Sequence, residues 1–130
     1  MTIFPLATNF VVLDASLRAT ARPAGPTFYE DLGRDFGDFH GCTLIAQYSF
    51  TENWPTWECH PAGDEILYLV AGKITFLIRT ADGEQQLTMA TPGQTAIVPK
   101  GCWHTGLVTE TATVLFITPG EGTENRTSPG

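Results

Sequence analysis

Positive charge is scarce in this chain. Seven Lys and Arg stand against fourteen Asp and Glu, for a formal net charge of −7. The basic residues are scattered: Arg18, Arg22, Arg34, Lys73, Arg79, Lys100 and Arg126. No basic stripe exists for a phosphate backbone, so no nucleic-acid partner is expected. The same deficit argues against an anionic membrane surface. Long apolar runs are missing too, and none approaches the ~20 residues of a membrane helix. The opening residues, Met1 to Asn9, lack a charged region followed by a long apolar stretch, so no secretory leader is expected. Cysteine is sparse and odd in number: Cys42, Cys59 and Cys102, with no C-x-x-C spacing. Free thiols in a cytoplasmic protein are the simplest expectation.

What remains is globular. Hydrophobic residues make up 42% and charged residues 16%, which excludes a disordered chain and hints at a partner-covered surface. A length of 130 residues suits one domain. Glycine and proline punctuate it at short intervals. Between them lie runs rich in β-branched and aromatic residues: Phe10–Leu13, Cys42–Phe50, Ile66–Val70, Lys73–Arg79, Gln85–Met89, Thr95–Val98 and Thr111–Thr118. Many short strands with regular turns predict an all-β sandwich or closed barrel. A single short helix is expected near Phe28–Phe36, weakened by Gly33. Ala21–Thr27 reads as a loop, Ala81-Asp82-Gly83 as a hairpin turn and Ala71-Gly72 as a tight one. The organisation expected is an N-terminal segment over about 1–40, a barrel core over 41–118, and an extended or frayed tail over 119–130.

Strand parity then sorts the side chains, because residues two apart share a face. Ile74, Phe76 and Ile78 share one. Glu65 shares a face with Leu67 and Leu69, which puts a carboxylate on the apolar side. A buried carboxylate costs several kcal/mol unless a cation or donors compensate it, and a metal would do so. Glu58 and His60 are also two apart. Pro61-Ala-Gly63 reads as the turn of a hairpin that returns Glu65 beside His60. Further on, Thr95–Val98 runs into Pro99-Lys-Gly101, which presents His104.

These two segments resemble the paired motifs of the cupin superfamily. His60, Glu65 and Gly72 match the first motif, G-x5-H-x-H-x(3,4)-E-x6-G; Gly93, Pro99, Gly101 and His104 match the second, G-x5-P-x-G-x2-H-x3-N. The chain departs at Glu58, which replaces the first motif histidine, at Val108 in place of the closing asparagine, and at Glu52 in place of the opening glycine. The resemblance implies a double-stranded β-helix (jelly-roll) barrel and a divalent metal held by Glu58, His60, Glu65 and His104. Small single-barrel relatives commonly pair as homodimers, so a homodimer is expected.

Two carboxylates and two imidazoles suit Fe(II), with Mn(II), Co(II), Ni(II) or Zn(II) as other occupants, and disfavour Cu(I). A second arrangement is equally physical: His60, His104 and Glu65 form a facial triad, and Glu58 stands free as a general base. The thiols are expected to stay off the metal, with Cys59 facing away, and His40 to lie on the surface or in a loop. Among the aromatics, Phe76 and then Tyr48 are the candidates for a substrate pocket, while Trp57 and Trp103 should point away. The function implied is metal-dependent chemistry on a small organic molecule. Dioxygenase-type oxidation leads; Lewis-acid isomerase or lyase chemistry, or non-catalytic ligand binding, are the alternatives.

Overall fold

The computed structural model describes residues 2–129. Its elements in chain order are β1 (Asn9–Leu13), β2 (Ala19–Pro23), α1 (Phe28–Asp35), β3 (Thr43–Phe50), β4 (Trp57–Cys59), β5 (Glu65–Gly72), β6 (Ile74–Thr80), β7 (Gly83–Met89), β8 (Thr95–Val98), β9 (His104–Leu107), β10 (Ala112–Pro119) and β11 (Glu124–Arg126). They form two sheets, ordered β2-β1-β3-β10-β5-β8 and β11-β4-β9-β6-β7, and every pairing is antiparallel. The fold is the expected all-β double-stranded β-helix. Among the described residues, no helix is long and apolar enough to cross a membrane.

Alternation builds the interior. β10 reads Ala112-Thr-Val-Leu-Phe-Ile-Thr-Pro119, and every second residue from Ala112 is buried. On β6 the buried set is Ile74, Phe76 and Ile78, as parity requires. These residues meet Leu67, Leu69, Val98 and Phe116 in the main core. Phe76 has no exposed surface, so truncating it to Ala would cost about 3–5 kcal/mol. A second cluster forms where α1 sets Phe28 and Leu32 against Phe10, Val12, Leu44 and Ala46. The N-terminal segment thus closes one end of the barrel.

The tight turn at Ala71-Gly72 is present, and Gly72 has φ +78; a Cβ there would sit 2.2 Å from the Thr111 carbonyl oxygen. The neighbouring hairpin turns more sharply than expected. Thr80 pairs with Gly83, so only Ala81 and Asp82 lie in the loop, and Gly83 opens β7 with φ +114.

Four short strands escaped the sequence pattern as separate runs. β2 lies partly where a loop was expected. Its Ala-Thr-Ala-Arg-Pro sequence has little strand propensity, and five paired residues of β1 hold it in place. β4, β9 and β11 are three or four residues long, too short to show a period. β11 lies in the segment expected to fray, where it pairs with β4. The hairpin expected between His60 and Glu65 is absent. β4 and β5 belong to different sheets, and residues 60–64 cross from one to the other. Glu65 reaches His60 across the barrel interior, not beside it on a ladder.

Candidate metal centre

Two features of the backbone bring the motif segments together. Glu58 on β4 is the register partner of His104 on β9. The Gly101 N–H donates to the His60 carbonyl at 3.0 Å, and the Lys100 N–H donates to Asp64 Oδ1 at 2.7 Å. The Pro99-Lys-Gly101 turn is therefore tied to the segment that carries His60. Glu65 opens β5, and its register partner Val98 ends β8 just before that turn.

The side chains converge inside the barrel. His104 Nε2 lies 3.0 Å from Glu65 Oε1, and His60 Nε2 lies 3.2 Å from Glu65 Oε2. Glu58 Oε2 stands further off, 3.6 Å from His60 Nε2 and 4.0 Å from His104 Nε2. Donor atoms of Glu58, His60 and His104 all fall within 4.8 Å of one another. His60, Glu65 and His104 are 5%, 2% and 0% exposed, whereas the Glu58 side chain is 32% exposed. Glu58 is the member open to solvent.

Hydrogen bonds fix which atoms face the centre. His104 Nδ1–H donates to the Cys102 carbonyl at 3.1 Å, leaving the Nε2 lone pair free. Thr123 Oγ1–H donates to the Gly120 carbonyl, so the same oxygen accepts from His60 Nδ1–H at 2.8 Å. His60 Nε2 is freed in the same way. Thr118 Oγ1 donates to Glu65 Oε2 at 2.5 Å, which leaves Oε1. The three atoms so presented, His60 Nε2, His104 Nε2 and Glu65 Oε1, are buried and lack hydrogen-bond partners. Their short separations are ion-pair approaches whose angles do not make hydrogen bonds. Groups this buried are normally satisfied.

A divalent cation suits the arrangement. Donors about 2.1 Å from a common ion are roughly 3.0 Å apart at octahedral angles and 3.4 Å apart at tetrahedral ones. The 3.0 Å between His104 Nε2 and Glu65 Oε1 and the 3.2 Å between His60 Nε2 and Glu65 Oε2 fall at that spacing, one imidazole to each carboxylate oxygen, and two carboxylates balance the charge. With no cation between them, burial works against a charged His60, but Glu58 and Glu65 beside it outweigh burial and raise its pKa to about 9. Burial likewise works against the Glu65 carboxylate, and His104 and His60 overcome it, holding its pKa at about 2.

The other expected residues sort as follows. The described donors that cluster include no thiol; Cys42 and Cys59 are buried and Cys102 is partly so. His40 is a surface residue paired to Glu121 at 2.9 Å. Trp57 and Trp103 face out, under Arg79 and Arg126. Phe76 lies edge-on to Trp54, which in turn packs 6.1 Å from the His104 ring. Tyr48 packs on Phe50 and Phe116, and its hydroxyl meets that of Tyr29 from α1. Both phenols are held protonated, first by burial of their hydroxyl ends; the charge on Glu58 adds to the effect. A cleft of about 440 Å³ lined by Phe10, Phe28, Tyr29 and Tyr48 reaches this pair but touches none of the four donors.

Four residues of the site were not anticipated. Thr118 was legible in principle, as the polar exception among the inward residues of β10. Asp64, Thr123 and Trp54 gave no signal, because each acts through a loop or a distant chain segment. Trp54 Nε1 is buried and unpartnered, and the indole covers Gly106, where a Cβ would lie 2.9 Å from that nitrogen.

No family model matches the chain, and no curated protein matches it. Solved structures do. The chain is similar to a variant of oxalate decarboxylase from B. subtilis, with TM-score 0.55 and 17% identity over 65% of this chain and 23% of that one. It is also similar to hydroquinone 1,2-dioxygenase from Sphingomonas sp. TTNP3, with TM-score 0.50 and 15% identity over 58% of each chain. A cupin-2 domain containing protein from Shewanella frigidimarina matches with TM-score 0.49 and 19% identity over 65% of this chain and 71% of that one. The chain has the cupin fold.

Proposed function

We propose that this protein is a divalent-metal enzyme acting on a small organic molecule, most naturally as an Fe(II) dioxygenase. Glu58, His60, Glu65 and His104 would hold the ion. The observation that carries this reading is the set of three buried, partnerless donor atoms on His60, Glu65 and His104, with His60 and His104 also clustering within 4.8 Å of the more open Glu58. Such a set, bare of a cation, leaves polar atoms without partners at a cost of about 1–3 kcal/mol each. The bound metal would supply Lewis acidity and, as iron, a place for oxygen chemistry.

The chain's own residues supply the rest. Glu58 is nearest to solvent and furthest from the imidazoles. Its carboxylate can complete the ligand set or take a proton from substrate at Oε2. Trp54 packs on Phe50 and Phe116 and reaches the His104 ring, so it would shield that side of the site from water, and its Nε1–H offers a donor to a substrate oxygen. Tyr48 closes the same side.

The exposed position of Glu58 also favours a second reading. With Glu58 as a base and Zn(II) or Mn(II) at the remaining three ligands, isomerase or lyase chemistry follows. The test is oxygen consumption by Fe(II)-loaded protein over diketones, catechols and keto acids, beside product formation without oxygen. Uptake with any of these supports oxidation. Turnover under anaerobic conditions with Zn(II) or Mn(II) would replace it with the second reading. Binding without turnover in either would leave a ligand-binding protein.

A further inference from the structure

The register leaves a gap beside α1. β1 pairs with β3 only from Val11 to Leu13, opposite Ile45 to Thr43. β3 continues to Phe50 with β10 on one side and no β1 partner on the other. The cleft of about 440 Å³ opens at that edge, between residues 47–49 of β3 and the start of α1. Phe28 and Leu32, four apart on α1, are buried in the second core cluster. Tyr29, one residue round the helix from Phe28, lies at the rim of that buried face and is 62% exposed. Its hydroxyl nevertheless turns in to meet that of Tyr48, which packs against both core clusters.

A pair of phenols has two protons, and the bond between them uses one. Neither hydroxyl makes another hydrogen bond among the described residues. One O–H is therefore unspent, beside a cleft walled by aromatic rings. The Phe10 centroid lies 5.0 Å from those of Phe28 and Tyr48, and the Phe28 centroid 5.2 Å from that of Tyr29. No charged side chain lines the cleft. The cations nearest to α1 in the chain are engaged elsewhere: Arg22 pairs with Asp35, and Arg34 with Asp31 and Asp35. We infer that this cleft is a binding site for an uncharged aromatic alcohol or phenol, held through its oxygen by Tyr29 and Tyr48 and through its ring by Phe10 and Phe28.

Each part of that ligand class follows from the lining. The volume is that of an ordinary small-molecule site. The unspent phenolic proton meets an acceptor, and the lone pairs of the two phenols accept a ligand O–H in return. A flat ring among four aromatic side chains gains from edge and offset contacts. An anion would find no cation to pair with, and the charge on Glu58 reaches both hydroxyls. An ammonium group would find no carboxylate on the lining. Tyr29, with most of its surface in solvent, can shift to admit the ligand without opening the core. None of the four candidate metal ligands lines the cleft, so the site does not depend on a metal.

The experiment is equilibrium dialysis of the whole chain with 2-naphthol, 2-naphthoate and 2-naphthylmethylammonium. Chelator is present throughout, so that no ion can hold the probe. 2-Naphthol should bind with a Kd of about 1 mM or below, and each charged analogue roughly tenfold or more weakly. Tyr29→Phe and Tyr48→Phe combined in one chain keep the rings and should weaken 2-naphthol roughly tenfold, since two neutral hydrogen bonds are lost. In NMR spectra, 2-naphthol should shift the amides of Ala24, Gly25 and Ser49, which line the cleft. Circular dichroism checks the fold, and if the double variant does not fold, the charge preference and the amide shifts decide. Absence of 2-naphthol binding at about 1 mM, tighter binding of either charged probe, wild-type affinity in the folded double variant, or shifts confined to other residues would each overturn this assignment.

Discussion

Thr118 Oγ1 donates a 2.5 Å hydrogen bond to Glu65 Oε2, and Glu65 Oε1 is thereby left pointing at His104 Nε2 without a partner of its own. One hydroxyl on β10 thus decides which carboxylate oxygen a cation would meet. Partners of this kind orient ligands and typically contribute a factor of 10–100 in metal affinity. Thr118→Val, nearly the same shape, should lower affinity for Co(II) or Zn(II) by about that factor, with the fold unchanged. Chelator competition measures it. Affinity equal to wild type would show that the hydroxyl does not orient Glu65.

His60 is held in the same manner from an unexpected place. Its Nδ1–H donates to Thr123, just ahead of β11. Thr123→Val should weaken metal binding by roughly tenfold or more, again measurable by chelator competition. Unchanged affinity would mean that the C-terminal segment contributes nothing to the site.

How much of this was readable from the chain depends on how far apart the interacting residues lie. Glu65 was placed inside the barrel by parity with Leu67 and Leu69, and His60 and His104 by the spacing of their segments. Those are local properties. The tautomers of both histidines depend on Thr123 and on the Cys102 carbonyl; the first needs a tail strand three residues long, which carries no periodic signal. The His60–Glu65 approach was anticipated for the wrong reason. A Pro-Ala-Gly turn suggests a hairpin, but the chain there changes sheet. Trp54 carries no local signal, since nothing near it in the chain tells that Gly106 leaves room for an indole.

Glu58 separates two accounts of the site. As a ligand it helps neutralise the ion, and Glu58→Gln should weaken metal binding. As a base it should leave affinity intact and cost turnover roughly 10²–10⁴-fold. The ligand role also predicts that Glu58→His keeps metal, with an altered preference among ions. The distances of 3.6 and 4.0 Å to the imidazoles leave room for an ion between, and ligation is the expected result. Titration of Glu58→Gln with metal beside wild type decides.

The thiols should be dispensable. A Cys42→Ser, Cys59→Ser, Cys102→Ser protein should retain its full metal content, because no thiol lies among the clustered donors. Metal loss from the folded triple variant would assign at least one sulfur to the site.

At the surface, the Glu121 carboxylate bonded to His40 raises the histidine's pKa, and His40 with the Gly41 N–H lowers that of Glu121. The signs follow directly. The histidine's contribution to stability is complete below the unfolded pKa of about 6.5 and is lost as pH rises through its higher folded value. The carboxylate's is complete above about 4.3 and is lost as pH falls through its lower folded value. The pair therefore acts fully between about pH 4.3 and 6.5. Titration by NMR should place His40 above an ordinary histidine, and Glu121→Gln should return it. A His40 titration indifferent to that substitution would refute the pairing.

The most direct test of the metal centre is elemental analysis of protein purified without an affinity tag and dialysed against Fe(II), Mn(II), Co(II), Ni(II) or Zn(II), alongside folded His60→Ala and His104→Ala. The account predicts close to one ion per chain in wild type for at least one of these metals, and severe loss in both variants. A wild type that retains none of the five, or a variant that holds its metal at wild-type affinity, would contradict it.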